Sequence, residues 1–151
     1  MMLKRARMIA DLQFGRGAGE ALFPEGTNFR LSNTGRLRFL IFGRERIATV
    51  RANDGLLTLS MLAAQKLHSF FPPPKLRVVA SDEVAPFIVK GGNLFAKHVL
   101  DVDYEIRAGE EVLVVDGQDN LLATGKAVLS PEEMIQIKRG VAVLVRRAAD
   151  H

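Results

Sequence analysis

The sequence has no cysteine and no tryptophan, a single tyrosine (Tyr104) and three histidines (His68, His98 and His151). The missing cysteines exclude disulfides, thiolate metal sites and zinc fingers. The histidines are far apart and show no ligand spacing, so neither a metal nor a cofactor is expected. With so few large aromatics, stacking of successive bases is not the expected way of holding nucleic acid. No apolar run approaches the roughly 20 residues that cross a bilayer. The basic start, Met1–Arg7, lacks the apolar stretch and small-residue cleavage site of a signal peptide. No membrane association is expected, and the expected location is cytoplasmic.

Acids are scarce in one half only. Residues 1–75 hold 12 Lys and Arg against 5 Asp and Glu, a net charge of +7, whereas residues 76–151 hold 9 against 12, a net of −3. Such asymmetry points to contact with a polyanion, the plainer alternative being a solvated basic face that favours solubility. At 151 residues the chain has room for one domain or two small ones, and Pro72-Pro73-Pro74 marks the break. The expected organisation is α+β: a small basic sheet-plus-helix domain over 1–74, then a β-barrel domain over 75–151.

In the first half, Leu3, Met8, Ile9 and Leu12 recur near helical spacing among basic residues, predicting an amphipathic helix over 3–12. Gly15, Gly17 and Gly19 lack the lysine-serine ending and preceding strand of a phosphate loop, so they read as a bend. Phe29–Leu31, Arg36–Phe42 and Ile47–Arg51 are expected to form a three-stranded meander. Six arginines (30, 36, 38, 44, 46 and 51) stand in it with one acid, Glu45. Arg36 and Arg38 would share one face of a strand. Guanidinium forks suit phosphate oxygens, but arginines also lie over apolar neighbours on any exposed sheet. Leu56–Leu59 predicts a brief strand. Ser60 is placed to cap a helix from Met61 to about Phe70, with Met61, Leu62, Ala64, Leu67 and Phe71 facing the core.

In the second half, a strand over Leu76–Ala80 is expected to lead into a helix capped by Ser81, irregular at Pro86 and stopped by Gly91. A strand is then expected to run through Phe95 and Val99. Further strands fall at Glu111–Val115, Leu121–Leu129 and Val141–Arg146, with Asp116–Asn120 as a hairpin loop. Ser130-Pro131-Glu132-Glu133 has the spacing of a capping box with proline at the first helical position, and that helix should end at Lys138-Arg139-Gly140. No catalytic residues are assigned. Asp101 and Asp103 share a face if extended but read as solvated turn acids, and Ser81 and Ser130 are accounted for as caps.

Several phrases together carry a family resemblance. Lys90-Gly91-Gly92-Asn93-Leu94-Phe95-Ala96-Lys97, Ile106–Val112, Leu122–Ala127 and Lys138-Arg139-Gly140-Val141-Ala142 resemble a PUA domain, the RNA-binding module named after pseudouridine synthases and archaeosine transglycosylases. The Gly-Gly-Asn-Leu-Phe-Ala-Lys phrase stands where the common PUA pattern has glycine-alanine, and this is similar to the archaeosine transglycosylase branch. Gln13–Phe23, Thr34–Arg38 and Arg51–Gly55 resemble the small domain that precedes PUA in those archaeal enzymes. Nothing here is similar to their catalytic barrel or their cysteine-rich zinc site.

The resemblance implies a PUA-like barrel and binding to RNA, foremost the acceptor end of tRNA. It also implies a non-catalytic part that works with a separate catalytic transglycosylase subunit or another RNA-modifying enzyme. An adaptor docking to an acidic protein remains the alternative. The candidate RNA-binding residues are Lys90, Gly91, Gly92, Asn93, Phe95, Lys97, Lys126, Lys138, Arg139, Arg36 and Arg38. Gly91 and Gly92 would admit a nucleic-acid backbone and turn their amides to phosphate. On this view Gly92→Arg blocks binding and leaves the fold intact. Each candidate also has a plainer role: the glycines as a helix stop, Lys138 and Arg139 as complements of a helix C-terminus, His98 as a structural histidine facing away from Lys97.

Overall fold

The structure, a computed structural model, describes residues 1–150. They form two compact units, Met1–Phe70 and the remainder from Phe71, and the architecture is α+β. Among the described residues no helix is long and apolar enough to cross a membrane.

The first unit opens with helices α1 (Met2–Phe14) and α2 (Ala18–Leu22). The meander follows as β1 (Asn28–Leu31), β2 (Leu37–Phe42) and β3 (Glu45–Val50), to which β4 (Leu57–Leu59) adds a fourth antiparallel strand; α3 (Met61–Phe70) closes the unit. The first helix does not bury the expected face. Ala6, Ala10 and Phe14 are buried while Met8 and Leu12 are exposed. Close packing explains the difference: a Cβ on Gly19 would sit 2.3 Å from the carbonyl oxygen of Arg7. Only small residues let α2 lie backbone to backbone on α1, so the alanines take the inner face. Gly17, at φ 93°, makes the bend between the two helices. The edge of β4 is sealed by the Gln13 side chain, whose Nε2 donates to the Leu57 carbonyl (2.9 Å) and whose Oε1 accepts the Leu57 N–H (2.7 Å). Ser60 caps α3 as expected, its Oγ accepting from the Ala63 N–H at 3.1 Å.

The second unit comprises β5 (Arg77–Ala80), α4 (Ala85–Ile88), β6 (Leu94–Phe95), β7 (Val99–Val102), β8 (Glu111–Val115), β9 (Leu121–Ala127), α5 (Pro131–Gln136) and β10 (Val141–Ala148). Six strands in the order β6-β10-β9-β8-β5-β7 curl into a nearly closed barrel, with β5 and β8 the parallel pair. The barrel is filled by Val78, Ala80, Ile88, Leu94, Val112, Val114, Ala123 and Val143, all at most 1% exposed. The capping box of α5 is complete: Ser130 Oγ accepts the Glu133 N–H and the Glu133 carboxylate accepts the Ser130 N–H, a device worth about 1 kcal/mol.

Three expectations need correction here. The Ser81-capped helix shrinks to α4, which begins at Ala85 without a side-chain cap. The Ser81 N–H is drawn instead to the His98 carbonyl (2.9 Å), and its buried hydroxyl has no hydrogen-bond partner among the described residues. The strand expected through Phe95 and Val99 is broken by a 3-10 turn at Ala96–His98. β6 pairs with β10 at one end of the strand order and β7 pairs with β5 at the other, so the chain between them cannot stay one straight strand. Asp103, read as a solvated acid, is buried and accepts the Leu76 N–H (2.8 Å) and the Glu105 N–H (3.0 Å).

Two ion pairs, each with one buried partner, leave no sequence signal. Arg77, 2% exposed, gives a bidentate fork to Asp119 (3.0 and 3.2 Å) and a further pair of bonds to the carbonyls of Phe71 and Lys75 (2.8 and 3.0 Å). Arg146 pairs with Glu111, whose carboxylate also accepts from Thr124 Oγ1 at 3.3 Å.

Candidate nucleic-acid interface

The residues singled out in the second unit lie along one side of the barrel, where β6, β10 and β9 adjoin. Lys90 is exposed at the end of α4. The next two residues complete a Schellman motif: Gly91 takes φ 104° and its N–H reaches the Ile88 carbonyl, while the Gly92 N–H reaches the Phe87 carbonyl, both at 2.9 Å. Both amides are therefore committed to the helix end, not turned to an incoming phosphate, which corrects that part of the sequence reading.

Gly92 is needed for packing. A Cβ there would stand 2.9 Å from the Phe87 carbonyl oxygen and 3.3 Å from its carbon. Gly92→Arg thus cannot leave the fold untouched, contrary to the expectation. It should destabilise the second unit by about 2 kcal/mol, the usual scale of overpacking against backbone. Thermal denaturation followed by circular dichroism should show a fall of roughly 10 °C; an unchanged melt would show that this turn yields freely.

Asn93 is held by β10, since its Oδ1 accepts the Val145 N–H at 2.9 Å. That bond leaves the side-chain amide donors on the exposed side. Leu94 then points into the core and Phe95 outward, 46% exposed. Phe95 pairs with Val141, and the next residue, Ala96, donates to the Gly140 carbonyl at 2.8 Å. This contact brings the loop carrying Lys138 and Arg139 beside Phe95-Ala96-Lys97. The helix before that loop stops earlier than expected, at Gln136, with Lys138 in the left-handed region at φ 55°.

Lys90, Lys97, Lys138 and Arg139 are all exposed, and among the described residues none has a carboxylate partner. Lys126 differs: it stands across β9 from Glu111 on β8, next to the acid that Arg146 already engages, with Leu144 on its other side. Lys97 and His98 occupy the 3-10 turn, so alternation along a strand does not place them on opposite faces. Phe87 (69% exposed), Ile137 (57%) and Leu144 (44%) are outward apolar residues that sequence reading passed over. Nothing in the local apolar pattern distinguishes them from core positions.

The other two candidates belong to the first unit. Arg36 is exposed in the β1–β2 turn, its N–H bonded to Ser32 Oγ at 3.2 Å. Arg38 lies in β2 with its guanidinium 5.1 Å from the centre of the Phe39 ring. Arg51 is tied to Asp54, whose carboxyl is held below its ordinary value chiefly by the Leu56 N–H, then by Arg51. The hairpin-loop carboxyl of Asp116 is also held low: partial burial pushes it up, but hydrogen bonds from the Asn120 side chain and the Asn120 and Gln118 amides outweigh that. Both shifts belong to turns and serve local structure. Among the described residues no group of three or more acids and histidines is placed to hold a metal.

A six-stranded pseudobarrel with a cationic rim beside a glycine-turned helix end is the arrangement of an RNA-binding β module. Residues 76–149 match the PUA domain, and residues 4–74 match the patch-forming domain C2 of tRNA-guanine transglycosylase. It is 48% identical over 146 residues to the tRNA-guanine(15) transglycosylase of Methanothermobacter thermautotrophicus, covering 96% of this chain and 22% of that protein. The corresponding enzyme of Pyrococcus abyssi is 48% identical over 139 residues, covering 92% of this chain and 24% of that one. The chain thus spans less than a quarter of the length of these curated relatives. A solved structure of a hypothetical protein from Pyrococcus horikoshii has the same fold (TM-score 0.76, 22% identity), covering 99% of this chain and 90% of that chain.

Proposed function

We propose that the chain is an RNA-binding module, without catalytic activity of its own, that presents the acceptor end of tRNA to an archaeosine-type tRNA-guanine transglycosylase. The observation that carries this reading is a set of four exposed cations on the PUA domain with no carboxylate partner among the described residues: Lys97, Lys138 and Arg139 on the segments that meet at Phe95, and Lys90 just past the end of α4. Cations without carboxylate partners are free to neutralise phosphates. Phe95 adds an apolar face for an unstacked terminal base, and the Asn93 amide adds donors for a base edge or ribose hydroxyl. The relatives support tRNA as the RNA, and the chain's matching only 22% and 24% of their lengths supports a module without catalysis of its own. The catalytic partner would be a separate transglycosylase subunit. Arg36 and Arg38 supply further phosphate contacts from the first unit, and the cytoplasm is the proposed compartment.

Binding of the purified chain to tRNA, against a single strand of equal length, across a salt series tests the proposal. Four to six phosphate contacts on a stem give a log–log slope of roughly −3 to −5. A slope in that range, preference for tRNA and a loss of affinity on removing the 3′ end are expected. Flat, weak binding to both RNAs would overturn the proposal and favour docking to an acidic protein.

A further inference from the structure

The two edges of the four-stranded sheet are finished differently. At the β4 edge, Leu57 and Leu59 are buried, and the Gln13 side chain takes both backbone groups of Leu57. At the other edge β1 ends the strand order, and among the described residues no further strand pairs with its outer side. Phe29 and Leu31 stand across from Leu40 and Leu37, both buried, so they belong to the core side of the sheet. They are nevertheless 39% and 47% exposed. The core-side face therefore runs out at β1 before its apolar residues are covered.

β1 also lacks the devices that keep an open edge from pairing. It has no proline and no lysine, and no charged residue stands on its core side. The irregularity between β1 and β2 puts the extra residue, Arg38, on β2, so β1 itself stays regular. Its one charge, Arg30, lies across from Phe39 on the outer side of the sheet and is exposed. Among the described residues Arg30 has no carboxylate partner, and its guanidinium reaches only back to the Phe29 carbonyl at 3.3 Å. A strand completing this edge would alternate as β1 does, with apolar residues beside Phe29 and Leu31 and acids beside Arg30. A second copy of the chain meets this requirement badly. Pairing β1 with β1 about a two-fold axis brings two Arg30 side chains to the same face. Nucleic acid offers this edge neither a strand backbone nor apolar side chains.

We infer that the open edge of β1 is a docking site for an extended segment of a partner protein in which apolar and acidic residues alternate, taken up as a fifth strand of the N-terminal sheet. Backbone hydrogen bonds supply the affinity, Phe29 and Leu31 the apolar contact, and Arg30 the choice of an acidic segment. A slip of one residue would set the acids against Phe29 and Leu31, so the alternation itself fixes the register. Within the function proposed above, this is where a separate catalytic subunit would join. That assignment rests on the RNA-binding reading, whereas docking at the edge does not.

The test is binding of a fluorescein-labelled peptide of alternating valine and glutamate to the full chain, followed by fluorescence anisotropy. A dissociation constant on the order of 100 μM is expected. Two controls carry the same charge: a peptide with its valines and glutamates in separate blocks, and the alternating peptide with its amides N-methylated. Each should bind about tenfold more weakly or worse. Arg30→Glu, an exposed substitution, should weaken binding of the alternating peptide about tenfold and leave the melting temperature within a few degrees of wild type. Equal binding of the alternating and blocked peptides, or no loss on N-methylation, would overturn strand pairing. Unchanged binding in Arg30→Glu would overturn its selection of an acidic segment. A wild-type dimer in sedimentation that the alternating peptide splits would overturn the acidic partner in favour of a second copy. tRNA binding is measured alongside. A chain that binds the peptide but not tRNA keeps the docking edge and loses the RNA-binding reading; one that binds tRNA but not the peptide does the reverse.

Discussion

Gly125→Ala is expected to lower the melting temperature of the PUA unit by roughly 15–25 °C. The added Cβ would stand 2.1 Å from the carbonyl oxygen of Leu144 and 2.9 Å from both the Leu144 carbonyl carbon and the Val145 Cα. All three are backbone atoms of the neighbouring strand, so no rotamer change relieves the overlap, and β9 and β10 must separate where they pair. Overpacking of this kind costs about 3–4 kcal/mol, beyond the ordinary range for a point change. In a unit of about 80 residues each kcal/mol moves the midpoint by about 4–8 °C. The close approach follows from the irregularity in β10, where the register passes from Val145↔Gly125 to Arg147↔Thr124. That bulge at Arg146 accompanies two long-range contacts, Arg146 with Glu111 and the Val145 N–H with Asn93. Gly125 is therefore part of what holds the Asn93 end of the candidate interface. Two alanine controls sharpen the result. Gly109 has φ 95° in open space, so alanine there carries only the backbone strain of about 1 kcal/mol. A Cβ on Gly117 would meet nothing nearer than Asp82 Oδ1 at 3.6 Å and should be nearly neutral. Melting temperatures should rank Gly117→Ala above Gly109→Ala, with Gly125→Ala far below both. A Gly125→Ala midpoint within a few degrees of wild type would mean that the two strands are not as close as described.

What could be read from the sequence was local. Ser130-Pro131-Glu132-Glu133 announces its helix because capping spacing is fixed by backbone geometry within four residues, and the structure completes the box in both directions. The meander was legible because Asn33-Thr34-Gly35 and Gly43-Arg44-Glu45 separate its apolar runs, and the structure forms strands between those turns. What could not be read depends on partners distant in the chain. Arg77 and Asp119 are 42 residues apart and Asn93 and Val145 are 52 apart; neither pair leaves a mark on its own segment. The 3-10 turn at Ala96–His98 is imposed by the need to cross between sheet edges, and the same residues in isolation fit a strand. The role of Gly92 is hidden in the sequence for a related reason. A glycine after a helix stop looks like room for a ligand, and only the position of the Phe87 carbonyl shows that the space is already taken. The arginine-rich meander reads as charge alone, whereas the placing of Arg38 and Arg46 against Phe39 goes with two register irregularities that no spacing rule predicts.

Removing the four unpaired cations of the PUA rim together should have the largest effect on function. In Lys90→Ala/Lys97→Ala/Lys138→Ala/Arg139→Ala, each lost phosphate contact reduces the log–log salt slope by about 0.9 and, near 0.15 M salt, reduces affinity about fivefold. Four contacts give a slope shallower by about 3 to 4 and an affinity lower by a factor of a few hundred to a thousand. The fold should survive, since all four side chains are exposed and none makes an ion pair or side-chain hydrogen bond among the described residues. Releasing Lys138 from its left-handed conformation is not involved, because alanine carries a Cβ as lysine does. Lys126→Ala serves as the contrast. Its charge already faces Glu111 across the strand pair, so its net attraction for phosphate is weakened, and its loss should change affinity less than any of the four. If the quadruple variant keeps the wild-type slope, the rim is not the RNA surface. If Lys126→Ala matters as much as the rim substitutions, the field of the Glu111–Arg146 pair does not reach it, and the interface extends across β9.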